Sequence, residues 1–437
     1  MKCARTFILL LSGAFSASAI AAGPAAPSDA ELKTAVNAAV KKGVHFLASR
    51  QIGGDFGREQ FSPQPGHTAV CVLALIKSGV GPNDPVIRRS LAPLLKYAYA
   101  KDPKDKMAVY NCGLTLMALD AVWAAQGNKG LNPHYRAMAN MVAALQGFQG
   151  GDGGWGYGPV DSHRDLSNTQ IALLGLWSAQ RNKVPVPAAV WDNARMYVSN
   201  LHQRDGGWVY SAGANEQRHS MVAAGISSLA ICQLSLAATA GSNPNAKTYR
   251  SGGANLPKSG TVIVRRDVRA NNANPIDLIK RGFAWFNAKG LATGELETYY
   301  LYGLERACTL TRVESLGGKE WYPQVAQTLI KAQAADGSWS GQHSSTVATC
   351  WALLALSRAT AQTIGQYPSP LGGQYSPGAA PAGGDAGAPG ADAINPNAVP
   401  VLPPTGPGRA QPGAAGESQP SSSQPADAGN PKRPAMP

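Results

Sequence analysis

Gln149-Gly-Gly-Asp152-Gly-Gly-Trp155 is the stretch that decides the reading of this chain. It returns as Gln203-Arg-Asp205-Gly-Gly-Trp208 and as Gln333-Ala-Ala-Asp336-Gly-Ser-Trp339, with a worn copy from Gln51 to Asp55-Phe56-Gly57. Each copy ends one amphipathic stretch and precedes a second apolar stretch that opens with Thr or Ser. A unit recurring at intervals of about 40–55 residues is the signature of a helical repeat, in which no single unit can bury its own apolar face.

Working outward from these corners, the spacing predicts six helix pairs. They are Asp29–Gln51 with Gly66–Ser78, Pro85–Ala100 with Ala108–Gln126, and Pro133–Phe148 with Ser167–Gln180. The remaining three are Pro187–Leu201 with Arg218–Ala237, Pro275–Lys289 with Glu295–Thr309, and Glu320–Ala334 with Ser344–Ala361. Pro85, Pro133, Pro187 and Pro275 suit a first helical turn, where the missing N–H has no partner to lose. The first helix of each pair mixes charged and apolar residues. The second is apolar nearly all round, as in Ile171-Ala-Leu-Leu-Gly-Leu-Trp177, and a helix apolar on every face is buried on every face. Two concentric layers are therefore expected: an all-α, α/α toroid over 29–361, with inner helices wrapped by outer ones.

The ends and one interior segment read differently. Residues 1–22 have the form of a secretory signal peptide: Lys2 and Arg5, then an apolar run from Phe7 to Ile20, then small residues around Ala19 and Ala21. Export to the periplasm or exterior is the expected consequence, with no later segment expected to span a bilayer. Residues 241–274 read as an insertion loop, and 366–437 as a disordered tail rich in Pro, Ala and Gly. The net charge of +13 comes from scattered residues, which gives no nucleic-acid signature. The five cysteines after the signal sit in apolar helical patterns without a CxxC pair. They read as buried thiols, with room for one incidental disulfide.

The Gln-x-x-Asp-Gly-Gly-Trp copies resemble the QW motif of the prenyltransferase and squalene-oxidase repeat. The stretch Glu297-Thr-Tyr-Tyr-Leu-Tyr-Gly-Leu-Glu-Arg306, followed by Glu320-Trp-Tyr322, looks like the exported bacterial members of that group. The resemblance runs from about Glu31 to Ala361 and implies a terpenoid cyclase-type toroid. The chemistry of that group is not carried over. The Asp-x-Asp-Asp acid is missing, as are an Asp-rich Mg²⁺ cluster, the Asp/Cys/His zinc set and a thioester motif. The repeated Gln149, Asp152, Trp155, Gln203, Asp205, Trp208, Gln333, Asp336 and Trp339 read as a structural turn motif, since a general acid is needed once and not in every repeat. No catalytic residue, metal or cofactor is assigned.

One constellation is a candidate ligand site. Aligned on their apolar registers, the inner helices place His67, Asn111, Asn168, His219, Glu297 and Ser345 just before their opening Thr, Ser or Cys. With all inner helices parallel, these six would ring one mouth of the toroid, at six positive helix ends; plain N-capping by polar residues is the simpler reading. Asp161-Ser-His163-Arg-Asp165 is a dense titratable loop, and Arg265-Arg266-Asp267-Val268-Arg269 a basic one. The expected function is a non-catalytic toroid that binds a hydrophobic small molecule or a protein partner through its cavity or one face. An isoprenoid cyclase or transferase is one alternative. A carbohydrate-active α/α barrel is another, using carboxylates drawn from Asp161, Asp165, Glu216 and Glu297.

Overall fold

The computed structural model describes residues 27–56, 64–100, 105–159, 163–241, 273–292, 297–341, 344–364 and 369–371. The expected signal peptide, most of the insertion and nearly all of the tail lie outside these residues. Twelve of the described helices alternate in role along the chain. The outer set is α1 (Asp29–Ser49), α3 (Pro85–Tyr99), α5 (Tyr135–Phe148), α7 (Ala188–Asn200), α9 (Pro275–Lys289) and α11 (Trp321–Ala332). The inner set is α2 (Gln64–Lys77), α4 (Ala108–Ala125), α6 (Leu166–Arg181), α8 (His219–Gly241), α10 (Thr298–Thr311) and α12 (Ser345–Leu356). A short antiparallel pair, β1 (Ser315–Leu316) and β2 (Lys319–Glu320), precedes α11, and a final turn, α13 (Ala361–Ile364), follows α12.

The inner helices close on themselves. α2 packs on α4, α4 on α6, α6 on α8, α8 on α10 and α10 on α12, and α12 returns to α2. The outer helices lie against this ring, for example α5 on α4 and α6, and α7 on α6 and α8. The fold is therefore an α/α toroid. Burial follows the two sequence patterns. Every residue from Leu166 to Ala179 in α6 is buried, and so is every residue from Thr346 to Leu356 in α12. In α1 only a stripe is buried, through Leu32, Val36, Val40, Val44 and Leu47.

The inner helices run parallel. Cys71 and Cys350 face each other at 3.5 Å, and seven residues on in both helices Ser78 faces Ser357 at 3.2 Å. Between α4 and α6 the backbones touch. A Cβ added at Gly113 would lie 2.6 Å from the Ile171 carbonyl oxygen, and one added at Gly175 would lie 2.6 Å from the Gly113 Cα. Glycine is what allows this approach.

Helix starts conform in part to expectation. Pro85 and Pro275 occupy the first helical turn, behind the caps Asp84 and Asn274. Pro187 is itself the N-cap of α7, and α5 begins two residues after Pro133. Ala108–Ala125 and His219–Ala240 are long and apolar enough to cross a bilayer by composition. Here that apolarity is used against neighbouring helices, since both segments are mostly buried inside the ring.

The repeated corners act as joints. Trp155, Trp208 and Trp339 are wholly buried, and each indole N–H donates to a carbonyl ten residues back, at Leu145, Val198 and Leu329 (2.7, 2.9 and 2.8 Å). Each thereby satisfies one of the carbonyls that the preceding outer helix leaves open at its C-terminus. Asp152, Asp205 and Asp336 accept from the backbone N–H two residues on, at 3.0–3.2 Å, and so hold the turn. The amide of Gln149 donates to Val190 O in α7 at 3.0 Å, and that of Gln333 donates to Ala39 O in α1 at 2.8 Å. Gln203 departs from this and donates to Leu201 O at 3.2 Å.

The glycine after the Asp seats each corner on the next outer helix. Gly337 has φ +89°, and its Cα lies against the Lys42 carbonyl of α1, with no space for a Cβ. Gly153 makes the same seat on Asn193 of α7. The last corner of the chain thus rests on its first helix.

Candidate functional site

The six residues expected at the N-terminal mouth occupy different environments. His67 is buried in the first turn of α2. Asn111 is buried too; its Oδ1 accepts from Gly66 N–H and its Nδ2 donates to Asp105, both at 2.9 Å, which ties α2 to the loop before α4. Asn168 is wholly buried and spends its backbone N–H and its Nδ2 on the Asp165 carboxylate, at 2.8 and 2.7 Å. His219 is half-buried; its Nε2 lies 3.0 Å from Gly290 O, and its ring meets Trp285 of α9 edge-on. It also meets the Tyr300 ring of α10, so it sits between the outer α9 and the inner α10. Glu297 is the N-cap residue of α10 without a side-chain capping bond, and at α12 the cap is Ser344 and not Ser345.

The carboxylates considered for hydrolysis are also placed. Asp165 caps α6 from a fully buried position, and Glu216 is exposed and holds Arg218 at 2.8 Å. Asp161 and the basic run from Arg265 lie outside the described residues.

Tyrosines gather at this mouth, Tyr110 and Tyr299 in the first turns of α4 and α10, Tyr157 and Tyr210 on the loops before α6 and α8. Tyr110 stacks on Tyr157, whose hydroxyl lies 3.1 Å from that of Tyr210, and Tyr299 hydrogen-bonds Gln170. Desolvation pushes the phenols of Tyr110, Tyr210 and Tyr299 up, Tyr299 to about 12, so these three stay neutral hydrogen-bonding groups at ordinary pH.

The denser cluster lies at the opposite end, where the inner helices finish. Lys77 and Arg181 are the last residues of α2 and α6, where cations complement the negative end of each helix. Asp120 of α4 pairs with Arg181 and accepts from Asn182 Nδ2 at 2.6 Å. The Arg181 guanidinium also lies 4.1 Å over Trp177. Lys77 is buried and donates to Thr363 at 2.9 Å, while Gln362 donates to Lys77 O at 3.0 Å. The α13 turn thus leans on this mouth. Burial lowers the Lys77 pKa to about 8, with Asp120 acting against the shift and Arg181 adding to it.

Deeper in, Arg306 of α10 donates to Gln170 at 2.7 Å and lies over Tyr302 at 4.7 Å. Its neighbour Glu305 is fully buried and accepts from Thr360 through the hydroxyl (2.6 Å) and the N–H (3.2 Å). Burial raises its pKa to about 7, against the opposing effect of the Thr360 bonds and of Arg358 and Arg306.

Two spaces adjoin this cluster. A void of about 30 Å³ lies between Trp177, Tyr302 and Arg306, with room for about one water. A cleft of about 460 Å³ lies outside it and shares Lys77, Asp120, Arg181 and Thr363 with the void. Trp123, Leu131 and Lys183 extend its rim, and Leu131 is 67 % exposed. The volume falls in the range of small-ligand sites, about 300–1,000 Å³. Sequence reasoning missed this cluster. The signal was present: Asp120 interrupts an otherwise apolar inner helix, and Glu305-Arg306 interrupts another. A charge on a helix buried on all faces must find a partner inside.

Glu305 makes the stability of the ring depend on pH. Its folded pKa lies above the ordinary 4.5, so its contribution is complete below 4.5 and is lost as pH rises through about 7. The gap between 4.5 and about 7 corresponds to about 3 kcal/mol. Urea unfolding from pH 4.5 to 8 should show this decline, and Glu305→Gln should flatten it. An unchanged slope in the variant would show that Glu305 is not the group responsible.

No family model matches the chain, and no curated protein matches it. Among solved structures, the chain is similar to the type II terpene cyclase MstE from Scytonema in complex with geranylgeranyl dihydroxybenzoate. One variant of that enzyme gives a TM-score of 0.45 at 13% identity, over 76% of this chain and 99% of the other. A second variant gives 0.44 at 13%, over 77% and 100%. The toroid rests on the closed circuit of inner-helix contacts described above, and not on these two likenesses.

Proposed function

We propose that this chain is an exported binding toroid whose C-terminal mouth takes a small amphipathic anion, a carboxylate or phosphate with an apolar body. The observation that supports this reading is the 460 Å³ cleft, in which a buried lysine stands beside an apolar rim. Asp120 is already engaged by Arg181 and Asn182, which leaves Lys77 and Lys183 as cations to meet an incoming anion. Trp123 and Leu131 offer the apolar contact.

Titration calorimetry with octyl phosphate and decanoate tests the reading. Saturable binding is expected, weakened about 10- to 100-fold in Lys77→Met by loss of one charge-assisted hydrogen bond. Binding should also weaken as pH rises above about 8, where Lys77 loses its proton. Absence of saturable binding, or equal affinity in the variant, would remove the assignment. Fractionation of the producing cells tests export separately.

A further inference from the structure

We propose that Cys71 and Cys350 are a disulfide-forming pair that clasps the ring at the junction between its first and last inner helices. Their sulfurs lie 3.5 Å apart, and both residues are wholly buried. A disulfide needs about 2.05 Å between sulfurs, so the two sulfurs have about 1.5 Å to close. The register is held independently, since Ser78 and Ser357 meet at 3.2 Å one heptad on. Among the described cysteines, Cys112, Cys232 and Cys308 sit on other inner helices, and Cys112 lies 3.7 Å from the Tyr97 hydroxyl.

The chemistry requires a disulfide oxidant, such as oxidised glutathione or an oxidoreductase disulfide. The thiolate of one cysteine attacks a sulfur of the oxidant and expels one thiolate, leaving a mixed disulfide. The second cysteine gives up its proton, attacks the sulfur of the first and expels the other thiolate. Two protein thiols are oxidised to one S–S bond, and the oxidant is reduced to two thiols that carry off the two protons. In the closed ring no oxidant reaches either sulfur. The bond therefore forms while α2 and α12 are still coming together, and the finished ring then shields it from reductants. With the partners 279 positions apart in sequence, the link spans nearly the whole described ring.

The test is refolding of the reduced, full-length protein from denaturant, with and without a glutathione redox buffer. Acid quenching, alkylation and non-reducing peptide mapping follow. The expected product joins the peptides that contain Cys71 and Cys350 and leaves Cys112, Cys232 and Cys308 alkylated. The thermal midpoint should rise by about 5–10 °C over the protein refolded under reductant. Cys350→Ala should abolish both link and shift, whereas Cys112→Ala should keep both. Full alkylation of Cys71 and Cys350 in the oxidised sample, or linkage of Cys71 to another cysteine, overturns the proposal. Because the oxidant is supplied in the tube, the result does not depend on where the cell places the protein.

Discussion

Gly337→Val should lower the unfolding free energy by about 3–5 kcal/mol, measured by urea titration. Two costs combine. At φ +89° a β-branched residue is strained by about 1–3 kcal/mol. Its Cβ would also run into the Lys42 carbonyl of α1, and neither backbone can yield without opening the seam between the last corner and the first helix. Gly213→Val separates the two costs. Gly213 has φ +84° but nothing within 4 Å of an added Cβ, so that variant should carry only the conformational share, about 1–3 kcal/mol. Equal losses in the two variants would mean that the seat on α1 contributes nothing.

Gly113→Leu should cost a similar amount, about 3–5 kcal/mol, through a different route. Here φ is ordinary and the penalty is wholly one of space. α4 and α6 touch through their backbones at Gly113 and Gly175, and a side chain would force two buried helices apart along much of their length. Gly113→Ala should cost about 1–3 kcal/mol. The control has the opposite sign. Gly147 lies on an exposed face of α5 with open space around it, so Gly147→Ala should stabilise the protein by about 0.4–1 kcal/mol. Stabilisation by Gly113→Ala would contradict the close approach of the two helices.

Much of the architecture was legible because two rules act on every repeat. Periodicity separated outer from inner helices, as α1 and α6 show, and the Asp-Gly corners marked where one helix stops. Most expected boundaries, such as Ala108–Gln126 against Ala108–Ala125, differ by one to three residues. The candidate site was far less legible. Aligning the inner helices on their apolar registers gives the height of a residue along the ring axis. It does not give its azimuth: the His219 ring packs between Trp285 of α9 and Tyr300 of α10. The distant partners of Asp120 were hidden for another reason. Arg181 lies 61 residues away, and in isolation it reads as an ordinary helix-terminal cation. Packing of consecutive inner helices brings Arg181 to Asp120, and closure of the ring brings Thr363 to Lys77 on the same rim. The buried charges on inner helices were the available clue, because an ionised group cannot enter an apolar wall alone.

The seating of Gly337 against Lys42 also bears on cooperativity. An open array of helical modules has two exposed termini and can fray from either one, so its melting broadens and spreads over sub-transitions. Here no module is terminal: α1 is a neighbour of α11 and α12 as well as of α2. Losing any one module strips its support from two others at once, so disruption anywhere propagates around the circuit. A single sharp melting event for the whole assembly follows, with calorimetric and van't Hoff enthalpies in agreement.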